Sequence, residues 1–458
     1  MQVRNCRTSS HSEKRFFYSE IYSLRSAIMK KQGNLLAFTP LVIFLALFLG
    51  SGIVTGDFYK LPILVAALIA AVVALAMNPK EKLETKVEQF ARGAGDSNII
   101  IMVFIFILAG AFSQVANDMG AVDSTVNLAL TALPQSLVIV GLFIISAFIS
   151  ISMGTSTGTI GALVAIGVGI SQATDFSVTF VMGAIIGGSM FGDNLSVISD
   201  TTIAAVRTQQ TEMADKFKAN FLIVLPAALV TITILIFASI GNASPVDTES
   251  FNWVKILPYI GVLVAAVLGV NVLAVLTSGI LLAAIIGFID GSFESLTAIA
   301  SSVGDGALSM ASLVMLTLII GGIVATIREN GGLDFLLNTM TKKVKSKRGG
   351  QFSIAGLIAT TNLSTANNTI SILTVGPLAK QISDEYGIDS RRSASILDIF
   401  ACTVQGLIPY GAQMLIAAEA AGVSPVQIFP YTFYPMLIGV MGIIAIATGF
   451  PKLKPKQA

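Results

Sequence analysis

Uncharged apolar stretches long enough to cross a lipid bilayer recur along this whole sequence, among them Leu41 to Val54, Leu61 to Met77, Ile99 to Ala116 and Phe221 to Ile240. The hydrocarbon core of a bilayer takes about 20 residues of helix, and runs spaced this closely leave no room for a soluble domain between them. Over 458 residues, 54% are hydrophobic and 12% charged, which is too apolar and too charge-poor for a water-soluble chain of this size. The fold class that follows is an all-α polytopic membrane protein whose main partner is the lipid bilayer.

Several kinds of chemistry fall away at once. The one histidine, His11, lies in the polar leader 1–28, so no imidazole is available at membrane depth for Ser-His or Cys-His catalysis or for a proton relay. With no HExxH pattern either, an intramembrane enzyme is not expected. Cys6 and Cys402 form neither a disulfide framework nor a metal cluster, and no cofactor is expected. The net charge of +2 conceals a segregation of sign between loops, and no basic stretch is interleaved with aromatics, so nucleic-acid binding is set aside. The leader lacks the apolar core of a secretory signal. Because Met29-Lys30-Lys31 resembles an ordinary start, the leader reads as a disordered tail or a start assigned too early.

Comparing the sequence with itself brings out one offset. Gly110 falls on Gly322 (322 − 110 = 212), and Ser152, Thr157 and Ile160 fall in the same way on Ser364, Thr369 and Ile372. This divides the chain into a first repeat, 29–241, and a second, 253–451. Each repeat reads as three spans, two apolar pieces too short to cross singly, an interrupted span and a final span. The paired short pieces predict re-entrant hairpins at 136–172 and 353–383, and the interrupted spans lie at 178–206 and 394–418. A hairpin that enters and leaves on one side leaves five crossings per repeat, so the second repeat is inverted relative to the first. Lys and Arg agree, because they accumulate on the cytoplasmic side. With both termini inside, 26 of the 28 fall in predicted cytoplasmic segments, leaving only Lys60 and Lys255 outside. Segments 117–135, 241–252 and 290–308 contain none and read as external loops.

Non-helical backbone survives at membrane depth only where it is buried in protein or lines a wet cavity. Both hairpin tips are such breaks. The first offers the hydroxyls of Thr155, Ser156, Thr157 and Thr159, and the second offers Asn367, Asn368 and Thr369. Oxygen ligands of this kind suit a small hard cation, and adjacent helix N-termini suit an anionic group; Gly, Ser and Thr also simply let helices pack closely. The first interrupted span carries Gly192-Asp193-Asn194-Leu195-Ser196 and Ser199-Asp200-Thr201-Thr202. An intramembrane carboxylate costs roughly 2.5–3.5 kcal/mol, so Asp193 and Asp200 need a reason to be there. Exchange of a cation for a proton is one; for Asp200, pairing with Arg207 near the cytoplasmic end is another. The second interrupted span supplies Asp398, Gln405, Tyr410 and Gln413, where Asp398 also reads as a partner of Arg391 or Arg392. Trp253, Tyr431 and Tyr434 read as interfacial anchors.

The Gly-Asp to Ser-Asp-Thr-Thr run, preceded by Gly154-Thr155-Ser156 and Gly158-Thr159, resembles the signature of the NhaC family of sodium/proton antiporters within the ion transporter superfamily. The resemblance covers nearly all of the chain after Met29. It implies an elevator-type carrier, usually a homodimer, in the bacterial inner membrane, with hairpins and broken spans sliding against a scaffold of outer spans. It also implies ion-site roles for Asp193, Asn194, Ser196, Asp200 and Thr201. Taken with the tips, the sodium candidates are Thr155, Ser156, Asp193, Asn194, Asp200, Asn367 and Asn368. The transported ions would be sodium and protons. Because the family includes malate/lactate exchangers and proposed amino-acid carriers, coupled movement of a small amino acid or carboxylate is the second reading. A passive channel lined by the same polar breaks is a third.

Overall fold

The computed structural model describes residues 33–55, 60–197, 199–240, 250–268, 270–341 and 346–452. The leader expected at 1–28 lies outside them. Among the described residues there is no β-strand, and all regular structure is helical. The first part runs α1 Thr39–Thr55, α2 Ile63–Ala76, α3 Leu83–Ala94, α4 Ser97–Asp118, α5 Ala121–Ala132, α6 Gln135–Met153, α7 Ser156–Ala173, α8 Val178–Leu195, α9 Asp200–Gln209 and α10 Met213–Ile240. The second runs α11 Trp253–Val267, α12 Val272–Ile289, α13 Leu296–Ser309, α14 Ala311–Glu329, α15 Gly332–Thr341, α16 Lys347–Thr365, α17 Asn368–Tyr386, α18 Ser390–Gln405, α19 Ala412–Ala421, the single turn α20 Pro425–Ile428, and α21 Phe433–Thr448. Among the described residues, 7 helices are long and apolar enough to cross a membrane, or up to 9 if each sharply bent pair counts as one span. This is a multi-pass membrane architecture.

Three predicted loops contain helices. Segment 117–135 holds α5, 290–308 holds most of α13, and the charged stretch after Met77 holds the amphipathic α3. Segments 117–135 and 290–308 are rich in small or polar residues and give little apolar periodicity, whereas the charged stretch sets Leu83, Val87 and Phe90 at helical spacing. They are helical because tertiary packing, more than propensity, decides short helices. The hairpin arms also outrun their apolar cores. Helices α6 and α7 have 19 and 18 residues, and α16 and α17 have 19 each, or roughly 27–29 Å at 1.5 Å per residue. Helix α7 is by itself long and apolar enough to cross, which corrects, for that arm, the expectation of a piece too short to do so. Its first turn, Ser156 to Thr159, is polar yet buried in protein, so a count of apolar residues ended too soon.

The helices pack in two groups. One joins α6 to α10 with α16 to α19 and α21, and the other joins α1 to α4 with α11 to α14; α7 touches α4, and α6 touches α11, across the boundary. Within the second group two close helix crossings answer each other. On α3, a Cβ at Gly93 would lie 2.6 Å from the carbonyl oxygen of Gly321 on α14. On α13, a Cβ at Gly306 would lie 2.5 Å from the carbonyl oxygen of Gly110 on α4. Only glycine permits backbones to approach this closely, the usual device by which helices associate in lipid.

Replacing Gly93 or Gly306 by Val should therefore cost about 1–3 kcal/mol through overpacking. It should appear as a lowered Tm of the detergent-solubilised protein. Gly304→Ala is the control: no atom lies within 4 Å of its added Cβ, and the change should leave Tm level or raise it, since Gly inside a helix costs roughly 0.5–1 kcal/mol relative to Ala.

Candidate functional site

The two hairpin turns are built alike. After α6, Gly154 turns in the left-handed region at φ 69 and Thr155 caps α7, its side chain accepting from the Gly158 amide. After α16, Ala366 takes φ 49 and Asn367 caps α17 by accepting from the Ile370 amide. A left-handed residue followed by a polar cap ends one helix and starts the next while leaving few backbone groups unpaired. Each arm is then fastened to the broken span beside it. Ser150 Oγ donates to the Ser189 carbonyl at 2.7 Å, and Asn362 Nδ2 donates to the Ala401 carbonyl at 2.7 Å. Ser196 Oγ donates to the Ile151 carbonyl at 2.8 Å, and Tyr410 Oη donates to the Leu363 carbonyl. In both matched pairs of bonds the acceptors are related by the repeat offset found in the sequence.

One continuous chain of hydrogen bonds crosses between the two turns. Gln405 Nε2 donates to the Ala366 carbonyl (3.2 Å) and to Gln413 Oε1 (2.8 Å); Gln413 Nε2 donates to Ser156 Oγ (3.0 Å). Ser156 Oγ in turn donates to Asp193 Oδ2 (2.9 Å). Asp193 Oδ1 accepts from Ser199 Oγ at 2.5 Å, and the Ser199 hydroxyl is 2.8 Å from Thr201 Oγ1. Asp193 is 3% exposed and stands where α8 is about to break. The chain thus brings together Ser156, Asp193, Thr201, Gln405 and Gln413 of the predicted set, and adds Ser199. It leaves others to the side. Thr159 donates back to the Thr155 carbonyl, Asn367 caps α17 and donates to Met102 Sδ of α4, and Asn368 accepts from the Thr369 amide and bonds the Cys402 side chain. Thr157 is buried in the first turn of α7.

Asp200 is placed apart. It is exposed at the first position of α9, where a carboxylate complements the positive helix end, and the break between α8 and α9 removes the shared face that a continuous helix would have given it with Asp193. No ion pair joins it to Arg207, which lies about 10 Å further along α9. Asp398 pairs with neither Arg391 nor Arg392. Arg391 makes a two-pronged pair with Asp389, the N-cap of α18, and Arg392 donates to the carbonyls of Phe450 and Pro451. Nor does Asp398 occupy the place that matches Asp193; at the repeat offset that place holds Gln405.

The partner of Asp398 is Lys216, at 2.8 Å, with side chains 0% and 1% exposed. Lys216 had counted as a loop cation in the charge pattern, but it stands in α10, inside the protein. Its ammonium also donates to Thr202 Oγ1 (2.7 Å) and to the Asn194 carbonyl (3.0 Å), so its three protons have three acceptors. Asn220, one turn further on, donates to Asp398 Oδ2 (2.7 Å) and the Asn194 carbonyl (3.1 Å) and accepts from Ser395. Tyr434 is another correction. It is fully buried, packs edge-on to Phe143 and Phe191, and its hydroxyl donates to Asn194 Oδ1 at 3.3 Å. The readable signal for Lys216 and Asn220 was their spacing of four, which gives them one helix face. Among the described residues, no group of three His, Cys, Asp or Glu could hold a metal ion.

The model of the Na+/H+ antiporter family matches residues 4–240 and 242–452. The chain belongs to that family. Named relatives include the Na(+)/H(+) antiporter NhaC of Bacillus subtilis, 27% identical over 400 residues (78% of this chain, 84% of that protein). The Malate-2H(+)/Na(+)-lactate antiporter of the same organism is 24% identical over 448 residues (89% and 94%). The arginine/ornithine antiporter ArcD of Halobacterium salinarum is 24% identical over 400 residues (78% and 81%). Among solved structures, the YdaH transporter of Alcanivorax borkumensis aligns with a TM-score of 0.39 and 14% identity over 80% of this chain and 88% of that one, too distant a likeness to carry an argument.

In this member of the family, Ser150→Ala and Asn362→Ala remove equivalent fastenings of hairpin to broken span. Each should lower stability by about 0.5–1.5 kcal/mol, the net worth of a hydrogen bond whose acceptor keeps its partner within the helix. Thermal unfolding in detergent, followed by loss of the monodisperse species, measures both.

Proposed function

We propose that this protein is a secondary active transporter that exchanges sodium for protons across the bacterial inner membrane, with Asp193 as the group that takes sodium or a proton in turn. The observation that carries the reading is the placement of Asp193: a buried carboxylate at a helix break, bonded to Ser156 of one hairpin turn and connected through Gln413 and Gln405 to the other. An ionised carboxylate among hydroxyl and amide oxygens can hold a dehydrated sodium ion, and when protonated it holds none. Membership in the Na+/H+ antiporter family supports the same ions.

The fold reading that goes with it has two inverted repeats, 29–241 and 253–451, re-entrant hairpins, and both termini in the cytoplasm. The answering pairs Gly93 with Gly321 and Gly306 with Gly110 support a pseudo-two-fold relation between the repeats. An elevator motion is proposed in which the hairpins and broken spans, with the ion between them, slide as a dimer's moving part against α1 to α4 and α11 to α14. The separation of the helices into these two packing groups supports it. A second reading is coupled transport of a small amino acid or carboxylate. It is favoured by the unpartnered amide oxygen of Gln405 inside the site and by the substrates in the names of two relatives.

In liposomes containing the purified protein, an inward sodium gradient should drive protons outward, and Asp193→Asn should lower that rate at least 100-fold. Asp200→Asn should retain most of it. Full exchange by the Asp193 variant would remove Asp193 from the mechanism, and labelled malate, lactate or arginine taken up in a sodium-dependent way would favour the second reading.

A further inference from the structure

Five charged side chains are buried among the described residues: Lys86, Asp193, Lys216, Arg392 and Asp398. Lys86 donates to the Leu75 carbonyl and Arg392 to carbonyls at the end of α21, so both are held away from the centre. The other three sit together. Lys216 is bonded to Asp398 and, at 3.0 Å, to the carbonyl of Asn194, the residue that follows Asp193. Cys402 and Tyr434 also face this group; both are uncharged at neutral pH. Two carboxylates thus share one ammonium. Since all three Lys216 protons are taken, Asp193 is the carboxylate without a bonded cation.

We propose that Lys216 is a positioning residue that fixes the charge of the transport site at one net negative unit, so that the site takes one monovalent cation at a time. This rests on the sodium/proton reading of Asp193 given above. When sodium leaves the Asp193 carboxylate, a proton from the same side bonds to one of its oxygens, and the reverse step releases that proton as sodium binds. The loaded site is neutral in both forms. The empty site keeps an uncompensated charge, which is costly to carry through a low-dielectric barrier, and that cost prevents slippage without a cargo ion. Exchange is therefore one for one and moves no net charge.

The experiment uses full-length protein in liposomes with sodium-22, under a membrane potential set by a potassium gradient and valinomycin. A cycle moving one net charge would gain about 2.3 kcal/mol per 100 mV, a bias of about 50-fold in the accumulation ratio. Wild-type accumulation should instead change less than about twofold. Asp398→Asn leaves Lys216 facing Asp193, neutralises the site, and should raise the half-saturating sodium concentration at least tenfold. The double variant Lys216→Gln with Asp398→Asn restores the single negative unit and should recover most of that loss. Potential-driven accumulation by the wild type, or a double variant no better than Asp398→Asn, would overturn the inference. The wild-type measurement needs no variant to fold. Absence of any sodium/proton exchange would instead defeat the functional reading itself.

Discussion

A charge withdrawn from water inside a membrane protein must find a partner, and the arrangement of this chain's centre depends on how three of them do so. Asp398 has a lysine at 2.8 Å and an amide at 2.7 Å. Asp193 has two hydroxyls and no bonded cation. The contrast follows from where each stands. Asp398 faces α10, which supplies Lys216 and Asn220 from one helix face, whereas Asp193 faces a hairpin turn and a helix break, which supply oxygens. One carboxylate is permanently neutralised. The other is the carboxylate to which the proposed function assigns the ion.

The surrounding backbone accomplishes this by doing the same thing twice. Gly154 and Ala366 turn, Thr155 and Asn367 cap, and Ser150 and Asn362 fasten the arm to a carbonyl of the helix that leads into the break. Backbone polar groups at membrane depth must be paired whatever the side chains do, so both copies retain the same solution. Side chains that touch the centre are under no such constraint and have diverged. The position that holds Asp193 in one copy holds Gln405 in the other, and the hydroxyl Ser196 has its counterpart in the phenol Tyr410. A doubled frame therefore encloses a single ionisable acceptor.

Much of this was legible in the sequence. The helical membrane class, the two turns and the interruption of the spans at 178–206 and 394–418 follow from apolar runs and from Gly, Ser, Thr and Asn in matching places. Charge could not be read so well. A lysine four residues into α10 resembles one at a membrane surface, because sequence records its neighbours along the chain and not Asp398, which is 182 residues away (398 − 216 = 182). The same limit grouped Asp200 with Asp193 in one candidate ion site and sent Tyr434 to the interface. Short helices such as α5 and α13 were missed because what makes them helical is their packing against α7, α11 and α4.

The misplaced lysine bears on mechanism as well as on topology. A buried ion pair seldom adds much stability, since desolvation of both partners offsets most of their attraction, so stability alone gives little reason for Lys216 and Asp398 to stand where apolar side chains could pack. Their value is in the field they leave at Asp193. Removing both would preserve the net charge but withdraw the hydrogen bonds that Lys216 gives to Thr202 and to the Asn194 carbonyl. Those bonds reach both sides of the break, at the residue after Asp193 and at the start of α9. In the proposed mechanism the pair sets the charge the ion meets, and the same ammonium group ties the two ends of the broken helix to α10, so that the shape of the break and its electrostatics have one origin.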